Sequence, residues 1–97
     1  KLSQVGEVRV TADVAAAVKN ADIVTSACRE GEDFPAAYRI TKELMELSPA
    51  AKYMHVLPVR HGEEVSDDVL YGERSAAFDR AGNLIYAEQA LMMLLFR

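Results

Sequence analysis

Between positions 60 and 64 the chain sets Arg60, His61, Glu63 and Glu64 around Gly62, with a second histidine, His55, a little upstream. Each residue type has its own chemistry. A guanidinium neutralises phosphate or carboxylate through two parallel hydrogen bonds, and Arg60 is the side chain best suited to that here. An imidazole exchanges protons near neutrality. For His55, ahead of a proline, the first reading is a ring that hydrogen-bonds across a sheet to hold the turn, with acid or base chemistry as the alternative. Glu63 and Glu64 are expected to order the loop or lead into a short helix. Two carboxylates beside one histidine on a loop are ordinarily solvated charge, so no metal is expected. A second candidate loop is Ser26 to Pro35, SACREGEDFP, where Arg29 is the sole cation among Glu30, Glu32 and Asp33. Arg29 reads equally as a clamp for an anionic ligand and as part of a solvated charge cluster.

These side chains need elements to hold them. Lys52 to Leu57 reads as a short buried strand, bulky at Tyr53, Met54, Val56 and Leu57. Pro58 then removes a backbone donor and ends it. The charged loop therefore opens at the carboxyl edge of a sheet, where ligands bind in open α/β folds. Glu7 to Thr11 alternates like a strand, and Asp22 to Thr25 reads as another. A helix lies between them, with Thr11 as its cap, Asp13 in its first turn and Asn20 at its end. Such a unit is parallel and right-handed, so the loop carrying Arg29 opens on the same edge. Tyr38 to Leu47 predicts a helix with Thr41 as a cap and Ser48-Pro49 as its stop. Ser66 to Asp68 predicts a short helix closed by Gly72, and Ser75 to Phe78 a last strand. From Asp79 to Arg97 a long helix carries Leu84, Ala87, Leu91, Leu94 and Leu95 on a stripe with burial spacing, while Met92, Met93 and Phe96 lie off it. An end apolar nearly all round is expected to be covered by another domain or chain. The expected fold is α/β: part of a doubly wound parallel sheet, three to four short strands with helices on both faces, and a long C-terminal helix.

Composition bounds the function. Ninety-seven residues make at most one domain, and a globule this small buries only roughly 60–65% of its unfolded surface. A formal net charge of −4 without a basic block argues against a nucleic-acid partner. The longest apolar run, Ala90 to Phe96, falls short of the ~20 residues that span a bilayer, so no membrane is expected. The single Cys28 forms no disulfide within the chain and reads as a small buried hydrophobe in a reducing, cytoplasmic setting. Lys1 in place of Met and the apolar end predict a piece of a longer protein. A generic nucleotide-binding domain ranks last, because the chain has neither GxGxxG nor GxxxxGK[ST].

His55-Val56-Leu57-Pro58, followed by Gly62-Glu63-Glu64-Val65, resembles the HCLP or HPLP stretch and the RGEEV of the aspartate and ornithine carbamoyltransferases. The passages ADVAAAVKNADIV, YRITKELMELSPAAKYMH and SDDVLYGERSAAFDRAGNLIYAEQALMMLL resemble family passages in the same order and at similar spacing. The resemblance implies the distal part of the second, amino-acid-binding domain, with the carbamoyl-phosphate domain and its Ser-Thr-Arg-Thr-type loop absent. It implies transfer of a carbamoyl group from carbamoyl phosphate to an amine of a small amino-acid-like substrate, with phosphate leaving. It also implies a homotrimer with sites between subunits, and no cofactor. In the family the backbone carbonyls of the HxLP turn hold the carbamoyl amide, here Val56, Leu57 and Pro58. Arg29, His55 and Arg60 are the substrate-binding or loop candidates.

The chain departs from the pattern at four places. Val56 stands where the ornithine type has Cys and the aspartate type Pro. Leu84 stands where AENR has its Arg, and Arg60-His61 reverses the order of the common HRG. Ala27 falls where the Asp of the ornithine-gripping DxxxSMG pattern stands, and Arg29 lies within one residue of a carboxylate-binding Arg of the aspartate type. These departures point to an atypical carbamoyltransferase of unassigned acceptor, with the ornithine and the aspartate determinants both incomplete. The alternative is a non-catalytic relative kept for assembly or regulation.

Overall fold

Two strands form the sheet in the computed structural model, which describes residues 4–28 and 35–97. β1 (Ile23–Ala27) and β2 (Lys52–Val56) run parallel, from Ile23 opposite Lys52 to Ala27 opposite Val56. Side chains alternate with the period of two that a strand imposes. Val24 of β1 and Tyr53 and His55 of β2 are buried, whereas Ile23, Lys52 and Val56 are exposed. Tyr53 is the centre of the arrangement: its hydroxyl lies 2.6 Å from Ser26 Oγ. Its main chain accepts from the Ala76 amide (2.7 Å) and donates to the Arg74 carbonyl (2.8 Å).

Those two bonds make a single parallel bridge between Tyr53 and Ser75 where a strand over Ser75 to Phe78 was expected. The helix begins at Ala77, so nothing is left to extend the ladder. The strand expected at Glu7 to Thr11 does not form either. Val8 and Val10 are exposed, and no neighbouring edge among the described residues offers its backbone to them. An alternating pattern makes a strand only where there is a partner. The described fold is therefore mixed α/β around one parallel pair, with fewer strands than expected.

The helices show the same dependence on local hydrogen bonds. In α1 (Val14–Val18) Asp13 is the cap, accepting from the Ala16 amide at 3.1 Å, while Thr11 Oγ1 accepts from Asp13 itself. The helix stops before Asn20, whose φ of 63° lies in the left-handed region that Asn tolerates. Ser48 clips that end, donating to the Val18 carbonyl (2.7 Å) and accepting from the Ala21 amide (3.0 Å).

The helix expected from Tyr38 to Leu47 is broken. A 3₁₀ turn (Ala36–Tyr38) precedes Ile40, which bridges Val65, and only then does α2 (Lys42–Met45) start, capped by Thr41 as expected. α3 (Asp67–Leu70) supplies the buried Val69 and Leu70. These join Ile40, Met45, Tyr53 and Val65 in the core.

α4 (Ala77–Leu95) buries only Ala77. The stripe expected to be core is exposed, from 47% at Leu84 to 69% at Leu95. Only the first half of α4 meets the sheet, where Arg80, Asn83, Leu84 and Ala87 line a concavity with Met54 of β2. The second half is exposed and packs against none of the described elements. No described helix is long and apolar enough to cross a membrane.

Candidate functional site at the carboxyl edge of the parallel strands

β1 and β2 end together, at Ala27 and Val56. Beyond them the chain runs through Cys28 on one side and through Leu57 and Pro58, joined by a cis peptide, on the other. Val56 is the last residue of the ladder, and its side chain is half exposed. The carbonyls of Leu57 and Pro58 lie past the ladder and accept no hydrogen bond among the described residues. They are thus main-chain acceptors at the edge where such folds bind ligands. Arg29 lies outside the described residues.

The charged loop folds back beneath this edge. Gly62, at φ 73°, takes the backbone through a reversal that a side chain would oppose, and its amide donates to the Val65 carbonyl at 3.1 Å. The reversal carries Glu64 inward until it is 1% exposed. There Glu64 Oε1 accepts from the Arg60 amide (2.8 Å) and lies 3.1 Å from Nε2 of His55, which is itself fully buried. With Nε2 as the donor, His55 Nδ1 is left as an acceptor, and it is enclosed with no partner among the described residues. The Glu64 main chain is tied down as well, since its carbonyl accepts from Ile40 at 2.9 Å.

Arg60 projects from the loop, about two-fifths exposed, with Nη1 3.3 Å from Glu63 Oε2. The hydrogen bond to Glu63, with the nearby Cys28 sulfur adding to it, raises the guanidinium above its ordinary value, so Arg60 stays a cation under all working conditions. Arg39 Nε holds the Glu63 carbonyl at 3.0 Å. His61 points elsewhere. Its Nδ1 pairs with Asp67 at 3.0 Å, and its ring stacks on Tyr71, which stacks in turn on Phe78. Among the described residues no three His, Cys, Asp or Glu side chains converge as metal ligands do.

The structure thus brings together Val56, Leu57, Pro58, His55 and Arg60, and it adds Glu64, expected from the sequence only to order the loop or lead into a short helix. Its only signal was Val65 beside it: a buried apolar neighbour in a charged run marks a place where the loop turns inward. Leu84 sits on α4, at the concavity with Met54.

Comparison with known proteins follows the same lines. The model of the aspartate/ornithine carbamoyltransferase Asp/Orn binding domain matches residues 1–95. The ornithine carbamoyltransferase of Chromobacterium violaceum is 37% identical over 94 residues, which cover 86% of this chain and 31% of that protein. The mitochondrial ornithine carbamoyltransferase of Schizosaccharomyces pombe is 42% identical over 91 residues, covering 82% and 28%. The chain spans a third or less of the length of these relatives. Among solved structures, the ornithine carbamoyltransferase of Burkholderia thailandensis superposes with a TM-score of 0.78 at 34% identity, over 87% of this chain and 29% of that one. The enzyme of Giardia lamblia reaches 0.84 over 94% and 31%, but at 22% identity it shows the shared fold alone. On the matched family model and the co-linear likeness to these relatives, the chain belongs to the aspartate/ornithine carbamoyltransferase family.

Proposed function

We propose that the chain is the distal part of the amino-acid-binding domain of a carbamoyltransferase, acting with a carbamoyl-phosphate domain outside these residues. The reaction is attack by an amine of a small amino-acid-like substrate on the carbonyl carbon of carbamoyl phosphate. A tetrahedral intermediate forms, the carbon–oxygen bond to phosphate breaks, phosphate leaves and the amine gives up a proton. In this reading the Leu57 and Pro58 carbonyls, with Val56 beside them, accept hydrogen bonds from the carbamoyl NH₂ group, and Arg60 supplies positive charge to the phosphate or to a substrate carboxylate. Arg29 is a further anion-binding candidate of the same edge. Catalysis is then positioning and electrostatic stabilisation, without a covalent enzyme intermediate.

The observation that supports this most is the pair of main-chain oxygens past the end of β2, without partners among the described residues, in the segment that leads directly into Arg60. A planar amide with two N–H groups needs such fixed acceptors. The exposed apolar half of α4 supports assembly with further protein, and we read the assembly as a homotrimer in the cytoplasm. Isothermal calorimetry of the full-length protein with the N-phosphonoacetyl derivatives of ornithine and aspartate tests the reading. Saturable heat with at least one, or with carbamoyl phosphate alone, is the expected result, and silence with all three overturns it.

Val56, in place of the family's Cys or Pro, favours a second reading in which the fold is kept for assembly without turnover. Robust formation of a ureido product from carbamoyl phosphate and any amine in a panel eliminates it.

A further inference from the structure

We infer that Glu64 is a positioning residue: its buried Oε1, shared by the His55 ring and the Arg60 amide, fixes the turn that aims the Leu57 and Pro58 carbonyls. The inference rests on the function proposed above and names the side chain that sets the geometry of that site.

The segment from Leu57 to Val59 is strung between two anchors. One is the end of the β2 ladder at Val56, with His55 just inside it. The other is the Arg60 amide. A single oxygen grips both sides, at 3.1 Å from His55 Nε2 and 2.8 Å from the Arg60 nitrogen. That oxygen is itself held in place: Glu64 is 1% exposed, its carbonyl is bonded to Ile40, and its neighbour Val65 is fully buried. Without it, the His55 donor would be left in a place that water does not reach and the part-buried Arg60 amide would lose its partner, and the turn would rearrange to recover both bonds. A shift of about 1 Å at a reacting group costs on the order of a hundredfold.

What acts here is the acceptor capacity of one oxygen, and neither charge nor proton transfer is needed. Oε2 makes no hydrogen bond among the described residues, so an amide nitrogen in its place disturbs none of them. Glu64→Gln therefore keeps the brace, Glu64→Leu removes it, and Glu64→Asp withdraws the carboxylate by one methylene.

The test uses the full-length protein. It measures affinity for the N-phosphonoacetyl derivative bound best by the parent, the KM for carbamoyl phosphate and for the amine, melting temperature, and amide exchange at Arg60. Glu64→Gln is expected to stay within about threefold of the parent in affinity, while Glu64→Leu and Glu64→Asp lose roughly ten- to a hundredfold. The loss falls on the carbamoyl phosphate KM and kcat, with the amine KM little moved. The Arg60 amide exchanges faster in both of these variants while the melting transition persists.

The inference is overturned if Glu64→Gln falls as far as Glu64→Leu, which would assign the role to charge or proton transfer. It is also overturned if Arg60 exchange or affinity is unchanged in Glu64→Leu. Should Glu64→Leu fail to fold, Glu64→Asp against Glu64→Gln decides by the same readouts. Slow Arg60 exchange in a parent that binds neither analogue nor carbamoyl phosphate shows the brace without the ligand; the proposed function then fails, and the positioning role with it.

Discussion

Tyr53 shows how much one side chain carries here. It lies fully buried in β2, its hydroxyl meets Ser26 across the sheet, and its main chain holds the Arg74–Ala76 segment. Burial raises its phenol above the ordinary tyrosine value of 10.0; the Ser26 hydrogen bond opposes that and the Glu64 charge adds to it. A raised folded value means that the folded state holds its proton where the unfolded state has lost it. The associated stability is full below about pH 10 and is lost as pH climbs from the unfolded value through the folded one. Tyr53→Phe in the full-length protein is expected to lose about 1 kcal/mol at neutral pH from the missing hydrogen bond. It should also show a shallower loss of stability above about pH 10, read from urea midpoints at a series of pH values. Equal alkaline slopes in parent and variant would contradict this account. At this scale the sequence was legible in residue type: bulky Tyr53, the proline stop and the charged loop were all read as they stand. It was illegible in direction. Val65 in EEV hints that the loop turns inward, but not that Glu64 goes with it while Glu63 stays half exposed, because that depends on the reversal at Gly62 and on the Ile40–Val65 bridge from a distant segment.

At the scale of elements, long-range hydrogen bonds decide where helices and strands begin and end. Arg74 is the main example. Its Nη1 shares two hydrogens among the carbonyls of Met45 (3.2 Å), Ser48 (3.2 Å) and Pro49 (2.9 Å), at and just past the end of α2, and Nη2 meets Glu46 at 2.9 Å. The exposed Glu46 pair adds little. The carbonyls matter more, because a charged donor ties together the turn after α2 beside the core residue Met45, where the Met45 and Ser48 oxygens also accept from the Ser48 and Ala51 amides. Arg74→Ala is expected to cost about 2 kcal/mol, and Arg74→Lys to recover only part of it, since an ammonium cannot span the fork that a guanidinium covers. Denaturant midpoints of the two variants check this; a lysine variant equal to the parent would show that charge alone suffices. Local signals in the sequence worked where the element is closed by its own neighbours, as with Thr41 ahead of α2 and Gly72 after α3. They failed where a remote partner intervenes. Ile40 is drawn out of its expected helix by Val65, Ser75 makes one bridge because Ala77 already starts α4, and Val8 and Val10 find no edge to join.

The whole molecule exposes more surface than its mass accounts for. A folded monomer of 10.7 kDa presents about 5,500 Å², and this chain presents 7,450 Å². Its radius of gyration is 15.2 Å, against about 12.5 Å for a compact domain of this length. The excess surface, roughly 2,000 Å², exceeds what one partner buries in a standard interface, about 800 Å². Much of it lies along α4, about 28 Å of helix by its rise per residue, where Leu91, Met93, Leu94, Leu95 and Phe96 are each more than half exposed. The helical period was plain in the sequence, but whether that stripe meets its own chain was not, because periodicity gives a face and never the identity of what covers it. An apolar helix half of this size is a strong drive to associate. The isolated 97-residue chain is therefore expected to elute above its monomer mass and to bind an apolar dye. A Leu91→Glu, Leu95→Glu double variant should move elution toward the monomer and reduce dye binding, with far-UV helix signal retained. Because both positions lie outside the buried core, that variant separates association through α4 from loss of the fold. An isolated chain that runs as a compact, dye-free monomer would contradict this account and place α4 folded back onto its own domain in solution.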